Sequence, residues 1–294
     1  MMKSFDYRKI DAFASAGSAG NPAACIYIDG NQALTEDDMQ NVAKQHKGFV
    51  SEMVYCHADG QGAYKLTYYS SECEVEFCGH GTIACMYDLV SRTPELLQKK
   101  EIMIGTNKKG ILTVYNEISS ENAVYITAPE PVHIGTVPTA AEIAPALGIA
   151  TGSISDEFEI DLINVGLATL IVPVSNLREE ISMFPDEKKL KAFCETNSVD
   201  IILAFSTETE DSVNIAHTRV FAPKFGYLED PATGSGNSAF GYYMLKNGMW
   251  DGESVSVEQG GIDMVFNKVR LTVRDGRVLF GGSAETRIIG RYFI

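Results

Sequence analysis

Two glycine-flanked turns are the first places in this sequence where residue type and spacing suggest chemistry. One is Gly79-His80-Gly81 and the other, 155 positions later, is Gly234-Ser235-Gly236. Glycine lets the backbone turn tightly and approach a ligand, and exposed N–H groups at a helix start favour an anion. The two turns therefore indicate sites for a carboxylate or for developing enolate charge. Two helices that merely begin after a Gly turn are the simpler alternative.

The segments that follow these turns are also related to each other. The same offset of 155 pairs Ala84 with Ala239 and Tyr87 with Tyr242. Each segment is apolar and of helical length, and in the first one Ile83 begins a spacing that predicts one buried face. The second turn and its helix therefore resemble a copy of the first.

Strands dominate the elements that must position these turns. Runs rich in β-branched and aromatic residues predict strands at 25–29, 63–69, 122–128, 163–174, 200–206, 213–222 and 254–259. Turn residues predict hairpins at 101–115 and 269–282, the second with Asp275-Gly276 at its tip. Capping residues and apolar periodicity predict helices at 35–46, 139–148 and 186–197, besides the two after the glycine turns.

The order of these elements indicates the fold class. Helices embedded among antiparallel strands are typical of an α+β fold. A similar order begins again after about residue 118, with Thr139 at the place of Thr35. We therefore predict two pseudo-symmetric halves, residues 1–118 and 119–284, and a C-terminal strand at 285–294 that could join the first half.

Composition and charge limit the partners of the chain. Of its 294 residues 45% are hydrophobic, and the formal net charge is −15, which argues against nucleic acid or an anionic membrane as a partner. No stretch is long and apolar enough to predict a membrane span. The N-terminal residues have no apolar core typical of a signal peptide, so we expect a cytoplasmic protein whose six cysteines are thiols.

Four stretches carry a resemblance to a known family. In chain order they cover residues 20–29 (GNPAACIYID), 34–56, 74–84 (EVEFCGHGTIA) and 219–239, which includes EDPATGS. They resemble the signatures of the phenazine-biosynthesis PhzF-like family, which belongs with the diaminopimelate epimerase and proline racemase folds. The resemblance implies two halves, each a mostly antiparallel sheet wrapped around a central helix, with the active site in the cleft and a homodimeric assembly.

The resemblance also implies roles for four side chains. The family's proton-shuttling carboxylate falls on Glu52, its histidine on His80, and its aspartate and serine on Asp230 and Ser235. A carboxylate whose pKa is raised by a partly apolar cleft can take a proton from carbon and return it elsewhere. The other three would bind and polarise the substrate. Oxyanion charge would also be received by the N–H groups around Gly79, Gly81, Gly234 and Gly236.

Each of these residues also has a structural alternative. Glu52 could be a solvated loop acid, and His80 could simply be held by backbone at its turn. Asp230 precedes a proline and could only initiate a turn, while Ser235 could be no more than an N-cap. The joint match of all four favours the catalytic interpretation.

The positions of the cysteines distinguish a one-base mechanism from a two-thiol mechanism. Racemases of the related families invert a carbon with two thiols, one at each repeat position. Here the first position is Cys78, but its partner by offset is Thr233, and a threonine has no accessible anionic form near neutral pH. This favours a one-base proton shift and leaves Cys78 as a small packed residue beneath the site.

A metal site is also conceivable from the cysteines. Cys73, Cys78, His80 and Cys85 fall within 13 residues. Their spacing lacks the C-x2-C pair of structural zinc sites, and part of the set lies in a predicted helix. The sequence therefore predicts no metal and no organic cofactor.

Some positions depart from the family's usual pattern. Residues 68–71 read YYSS where the family usually has a Phe-Thr-Pro type of segment, SGN replaces SAN after the aspartate motif, and HKGFVSE leads to the glutamate. These changes affect the expected lining of the cleft more than the acid–base groups. They leave the substrate, and any part in phenazine synthesis, open.

The sequence thus predicts a PhzF-like isomerase that moves a proton on a small acidic metabolite. Two alternatives stay open. One is a two-base racemase or epimerase that uses Cys78. The other is a protein that binds a small anionic metabolite without turnover.

Overall fold

The computed structural model describes residues 3–30, 32–60, 62–262 and 264–294. The chain forms two compact units, one of residues Met1–Ile126 with Gly281–Ile294 and the other of Thr127–Phe280. The sequence-based boundaries fell at 118/119 and 284/285.

The strands and helices follow in chain order. The strands are β1 Ser4–Ala12, β2 Asn21–Ile28, β3 Glu52–Ala58, β4 Tyr64–Ser70, β5 Glu74–Val75, β6 Glu101–Thr106, β7 Gly110–Glu117, β8 Ala123–Thr127, β9 Val132–His133, β10 Asp161–Asn164, β11 Ala168–Pro173, β12 Ile201–Ser206, β13 Ala216–Phe221, β14 Glu229–Asp230, β15 Val255–Gln259, β16 Asn267–Arg274, β17 Arg277–Gly282 and β18 Ala284–Phe293. The helices are α1 Glu36–Gln45, α2 Gly79–Arg92, α3 Pro94–Leu97, α4 Ile118–Glu121, α5 Ala140–Leu147, α6 Leu177–Ile181, α7 Glu187–Thr196 and α8 Gly234–Lys246. Short 3-10 turns lie at Thr151–Ser153 and Pro223–Phe225.

In the first unit a mostly antiparallel sheet carries the site-bearing strand. β1 pairs antiparallel with both β18 and β2, and β2 runs parallel to β3. β3 pairs antiparallel with β4, which also lies parallel to β6, and β6 pairs antiparallel with β7. In this register Glu52 lies opposite Ala23 on one side and Ser70 on the other. The sheet therefore fixes Glu52 at one end of β3.

Helix α2 is the central helix of this unit. Its residues from Gly81 to Val90 are buried except Tyr87, which is partly exposed. The sequence predicted one buried face, but a helix that is apolar on nearly every side is packed all round. Ile83, which begins the predicted face, is fully buried, and so is Met86.

A separate apolar layer in the first unit packs against α1. Met39, Val42 and Ala43 of this helix join a buried cluster that includes Tyr55, whose hydroxyl donates to the Met39 carbonyl at 2.6 Å. Thr35 caps the helix as predicted. Its Oγ1 accepts from the backbone N–H of the third helical residue.

The second unit has a comparable arrangement. β10 pairs antiparallel with β11, β11 runs parallel to β12, and β12 pairs antiparallel with β13. β13 is antiparallel to β14 and parallel to β15. Helix α8 is buried along nearly its whole length, and a second apolar cluster involves residues of α5 and α7.

One strand prediction in this unit is wrong. The sequence predicts one strand over the apolar run 163–174, whereas β10 ends at Asn164 and β11 begins at Ala168. Gly166 has a φ of +107°, which a residue with a side chain rarely adopts. The chain turns there, and the two strands pair with each other.

Backbone geometry confirms the doubled α+β order. The N-cap residues Cys78 and Thr233 have φ/ψ of −129°/110° and −119°/109°. Thr35 and Thr139 cap α1 and α5 with φ/ψ of −78°/163° and −74°/159°. Equivalent helices thus begin in the same conformation in both units.

Three strands of the first unit, β1, β3 and the two-residue β5, were not predicted from the sequence. Their residues include charged and polar side chains among the apolar ones. No helix in the part of the chain that the structure describes is long and apolar enough to cross a membrane.

Candidate active site

Glu52 begins strand β3 in the first unit. Only 19% of its side chain is exposed, so it is not a solvated loop acid. The parallel neighbour β2 and the antiparallel neighbour β4 hold its backbone on both sides. A carboxylate placed on a sheet between two strands is held more rigidly than one on a loop.

His80 lies beside this carboxylate at the start of α2. Its Nε2 is 3.3 Å from Oε2 of Glu52, and 13% of its side chain is exposed. The imidazole also forms a hydrogen bond with the backbone of Pro22. Burial lowers the pKa of His80 to about 4, because a buried charge loses the solvation of water. At neutral pH the pair therefore joins a neutral imidazole with the glutamate side chain.

Cys78 completes the group from the N-cap of α2. Its Sγ is 3.5 Å from Nδ1 and 3.8 Å from Nε2 of His80, and it accepts the backbone N–H of Gly81 at 3.3 Å. The residue is buried, with 6% exposed, as expected for a packed position. It does not lie only beneath the site, however, since its sulfur directly contacts the histidine.

The second glycine of this turn is required by close packing. A Cβ on Gly81 would lie 2.8 Å from Cγ2 of Val54 and 2.9 Å from Sγ of Cys78. Real Cβ atoms do not approach neighbours so closely. Glycine at this position lets the thiol approach the first turn of the helix.

In the second unit Asp230 lies on the short strand β14, where it is 9% exposed. Its Oδ2 accepts from Oγ1 of Thr233 at 2.6 Å, and its backbone carbonyl accepts from Nε2 of Gln259 at 2.7 Å. Gln259 also accepts the backbone N–H of Thr233 through Oε1. Asp230 is therefore part of a buried hydrogen-bond network and does more than initiate a turn.

Ser235 is the second residue of α8 and is partly exposed. Thr233 occupies the N-cap position, so Ser235 is not the N-cap. The flanking Gly234 packs on an aromatic ring, since a Cβ there would lie 2.4 Å from Cε2 of Phe280. Gly236 is less tightly enclosed, with no neighbour nearer than 3.4 Å.

The structure thus groups the predicted residues within each unit. Glu52 and His80 are in contact in the first unit. In the second unit Asp230 lies on β14, and Ser235 follows five positions later in the first turn of α8. The meeting of all four around one substrate stays a prediction.

The four residues that the sequence offered as a conceivable zinc site, Cys73, Cys78, His80 and Cys85, do not form one cluster. Cys73 is exposed and Cys85 is buried inside α2, where its thiol hydrogen-bonds to Cys25 and Cys56. A different set of ligand atoms comes together across β3 and α2. Among the described residues, Glu52, Cys78 and His80 bring one potential ligand atom each within 4.8 Å of one another.

Sequence reasoning missed two buried polar residues that fix the helix starts. Thr82 donates to the Cys78 carbonyl at 2.8 Å, and Asn237 donates to the Thr233 carbonyl at 2.9 Å. The 155-residue offset pairs Thr82 with Asn237, so the repeat itself contained the signal. Their different chemistry concealed it.

Comparison with known proteins places the chain in a family. It belongs to the family described as phenazine biosynthesis-like protein, whose family model matches residues 10–288. Its fold is that of the PhzF proteins and of the related epimerases.

Three relatives illustrate the similarity. The chain is 29% identical over 299 residues to YfhB of Bacillus subtilis (strain 168), named an uncharacterized isomerase, with 98% of this chain and 99% of the relative covered. The crystal structure of a Bacillus anthracis phenazine biosynthesis protein of the PhzF family matches with a TM-score of 0.84 and 26% identity, covering 99% and 100% of the two chains. A hydroxyproline epimerase from Agrobacterium vitis shares the fold, with a TM-score of 0.52, 13% identity, and 99% and 92% covered.

Proposed function

We propose that the protein is an isomerase that moves a proton between two carbons of a small acidic metabolite, with Glu52 as the single base and acid. The observation that carries this proposal is the position of Glu52. Its carboxylate is fixed on a strand, largely shielded from water, and 3.3 Å from the His80 imidazole. Membership of the phenazine biosynthesis-like family and relatives named as isomerases support the reaction class.

The proton shift needs one group that first accepts and then donates. The Glu52 carboxylate would take a proton from a carbon next to a carbonyl or carboxyl group. The C–H electron pair would become the π bond of an enolate, with the negative charge on oxygen. The same carboxyl group would then return its proton to another carbon of the conjugated system, where the enolate electrons form the new C–H bond.

His80 would orient the reacting groups while it stays uncharged. With its pKa lowered to about 4, the imidazole can accept a hydrogen bond through one nitrogen and donate through the other. A neutral partner keeps Glu52 from being held permanently in a strong ion pair, which would lower its basicity.

The enolate charge needs its own stabilisation. We propose that Ser235 and the N–H groups of Gly234 and Gly236 in the second unit, together with those of the first glycine turn, serve this purpose, while Asp230 hydrogen-bonds and orients the substrate. Helix starts supply N–H donors and the positive end of the dipole. This arrangement requires both units to contribute to one substrate site.

The one-base mechanism is favoured over a two-thiol inversion. Thr233 stands where a second thiol would be needed, and its hydroxyl donates to Asp230 at 2.6 Å. An alcohol engaged as a donor to a carboxylate is not a base near neutral pH. Cys78 therefore has no partner of the same kind at the repeat position.

Solvent exchange tests this proposal. We expect small cyclic or unsaturated acids incubated with the protein in D2O to gain deuterium at carbon for at least one compound, as seen by mass spectrometry. Loss of a general base lowers rates by about 10²–10⁴-fold, so Glu52→Gln should abolish this exchange. Glu72→Gln is the matched control, because Glu72 is exposed and pairs with Lys47.

Two outcomes would contradict the proposal. Exchange that persists in Glu52→Gln would remove its role as the base. Binding seen by calorimetry without exchange for any bound acid in the wild-type protein would instead indicate a non-catalytic binder.

We also propose a homodimer, on the family resemblance alone. Sedimentation should then give a particle of two 32.1 kDa chains. A monomer at micromolar concentration would contradict this assembly.

A further inference from the structure

Gln259 is a buried amide side chain at the end of β15 that takes no direct part in the proposed proton shift. It is fully shielded from solvent. Its Oε1 accepts from the Thr233 N–H at 3.0 Å and from Nδ2 of Asn237 at 2.7 Å. Its Nε2 donates to the Asp230 carbonyl at 2.7 Å and to Oγ1 of Thr233 at 3.1 Å. A primary amide has two donor hydrogens and two acceptor lone pairs, so these bonds fill its capacity.

The partners of Gln259 lie at the two ends of the segment that leads from β14 into α8. This segment begins at Asp230 and ends at Thr233, the N-cap of α8. Asn267 lies opposite Gln259 on β16 and donates to the Pro231 carbonyl at 2.7 Å. Two amide side chains from neighbouring strands therefore hold both ends and the middle of the segment.

The position of this segment sets the geometry of groups that we assign to the substrate. The Asp230 carboxylate accepts from Oγ1 of Thr233 at 2.6 Å, and the Gly234 N–H follows directly at the helix start. Reaction rates are sensitive to such placement, since a displacement of about 1 Å can cost about 100-fold. A side chain that fixes this segment therefore influences the reaction without touching the substrate.

The first unit shows that this fold does not require amides at these two positions. The offset of 155 residues pairs Gln259 with Ile104 and Asn267 with Leu112. Ile104 and Leu112 lie opposite each other on β6 and β7, as the two amides do on β15 and β16. Ile104 is fully buried. Burying an amide costs free energy unless it is hydrogen-bonded, so Gln259 in place of an apolar residue indicates a role in the site of the second unit.

We propose that Gln259, supported by Asn267, is a positioning residue of the active site. It fixes the distance between the Asp230 carboxylate and the N–H groups at the start of α8, so that both bind the same substrate. This inference rests on the proposed function, because it assigns Gln259 to the site that those groups form.

Gln259→Met tests this role, because it removes all four hydrogen bonds and keeps the length of the side chain. The matched control is Asn116→Leu in the first unit, since Asn116 is also buried and also makes four hydrogen bonds. Its Nδ2 donates to the carbonyls of Leu96, Leu97 and Lys99, and its Oδ1 accepts from the Ile118 N–H.

The first measurement is deuterium exchange at carbon with the acid identified by Glu52-dependent exchange. We expect the rate at saturating acid to fall about 100-fold in Gln259→Met and to stay at the wild-type value in Asn116→Leu. Circular dichroism and thermal melting establish that both variants are folded at the assay temperature. Equal losses in the two variants would overturn the proposal, and so would a wild-type rate in Gln259→Met.

Asn267→Leu keeps the test decisive if Gln259→Met does not fold. It introduces the residue type that the first unit has at the equivalent position, Leu112, and it removes the donor to the Pro231 carbonyl. We expect a smaller loss of the saturating rate than in Gln259→Met. A folded Asn267→Leu variant with the wild-type rate would count against the positioning role.

The second measurement, amide hydrogen exchange by NMR, does not depend on catalysis. The Thr233 N–H donates to Gln259, so it should exchange with solvent about 10-fold faster in Gln259→Met. If no acid gains deuterium in the wild-type protein, the proposed function fails, and the amide result alone decides whether Gln259 holds the segment. Unchanged protection of the Thr233 N–H would overturn the positioning role even if the reaction is established.

Discussion

The starts of α2 and α8 have the same backbone conformation but carry side chains of different chemistry. Their N-cap residues, Cys78 and Thr233, have nearly the same φ and ψ angles. The thiol contacts His80, whereas the threonine hydroxyl donates to Asp230. The two turns therefore have the same backbone geometry. The turn at α2 brings a thiol and an imidazole together, whereas the turn at α8 is held by a network of hydrogen bonds.

The same division appears one helical turn later. Thr82 bonds the Cys78 carbonyl and the hydroxyl of Tyr68, while Asn237 bonds the Thr233 carbonyl and the side chain of Gln259. In both helices the side chain four residues after the N-cap residue donates a hydrogen bond to the N-cap carbonyl. Different side chains thus solve the same structural problem, and the predictions below separate what is shared from what differs.

The largest expected difference between the turns concerns protonation, because His80 titrates and Ser235 does not. We expect the His80 ring protons in NMR to titrate with a midpoint of about 4, compared with about 6.5 for an unperturbed histidine. The folded state then binds fewer protons than the unfolded state. Stability from His80 is therefore lost as the pH falls from about 6.5 toward about 4.

His80→Gln supplies the comparison for this prediction. The free energy of unfolding of the wild-type protein should decline relative to that of the variant over this pH range. A midpoint near 6.5 in the folded protein would show that His80 is solvated and would remove the neutral imidazole from the mechanism.

The next effect concerns the glycines of the second turn. In Gly234→Ala the new Cβ would meet the Phe280 ring at 2.4 Å, whereas in Gly236→Ala it has 3.4 Å of space. We expect urea unfolding to show a loss of about 3 kcal/mol for the first variant. The second should be neutral or slightly stabilised, since alanine favours helices over glycine. Equal effects of the two changes would contradict the packing described for α8.

A smaller effect is expected when the buried hydroxyl of the second turn is removed. Thr233→Val keeps the shape but deletes the donor to Asp230 and the acceptor for Gln259. We expect a loss of about 2 kcal/mol in chemical denaturation, because two buried polar groups lose a partner. Thr113→Val, at a partly exposed strand position, should change stability by no more than about 0.5 kcal/mol. If Thr233→Val lowered the free energy of unfolding by no more than Thr113→Val does, water would have to replace the hydroxyl.

The smallest effects should be equal in the two units. Thr35 and Thr139 cap equivalent helices with side-chain bonds to the third helical residue: Oγ1 of Thr35 accepts from the Asp38 N–H, and Oγ1 of Thr139 donates to the Glu142 carboxylate. Each Thr→Ala change should cost about 1 kcal/mol in thermal unfolding. A cost confined to one unit would show that the resemblance of the repeats ends at the glycine turns.

The sequence predicted much of the fold because repeats and caps are local signals. The α+β class, the helices at the glycine turns and the hairpin at Asp275-Gly276, whose two residues have positive φ angles, are confirmed. The break between β10 and β11 at Gly166 was not predicted. A continuous apolar run does not show that a single glycine within it turns the chain and divides it into two strands.

The site was less predictable, since it depends on contacts far apart in the chain. Strand β3 was missed because its ends carry Glu52 and polar residues, and only the pairing of Glu52 with Ala23 and Ser70 fixes its place. The contact of Cys78 with His80 follows from the side-chain directions in one turn. No spacing rule in the sequence states those directions.

The central claim is that one carboxylate both removes and returns the proton, and isotope transfer tests it directly. The substrate would be the acid identified by Glu52-dependent exchange, deuterated at the carbon that loses its proton and converted in H2O during a single turnover. The account predicts that part of the deuterium appears at the receiving carbon of the product and that Glu52→Gln eliminates this transfer. Product formed at the wild-type rate by Glu52→Gln, with all label lost to solvent, would contradict it.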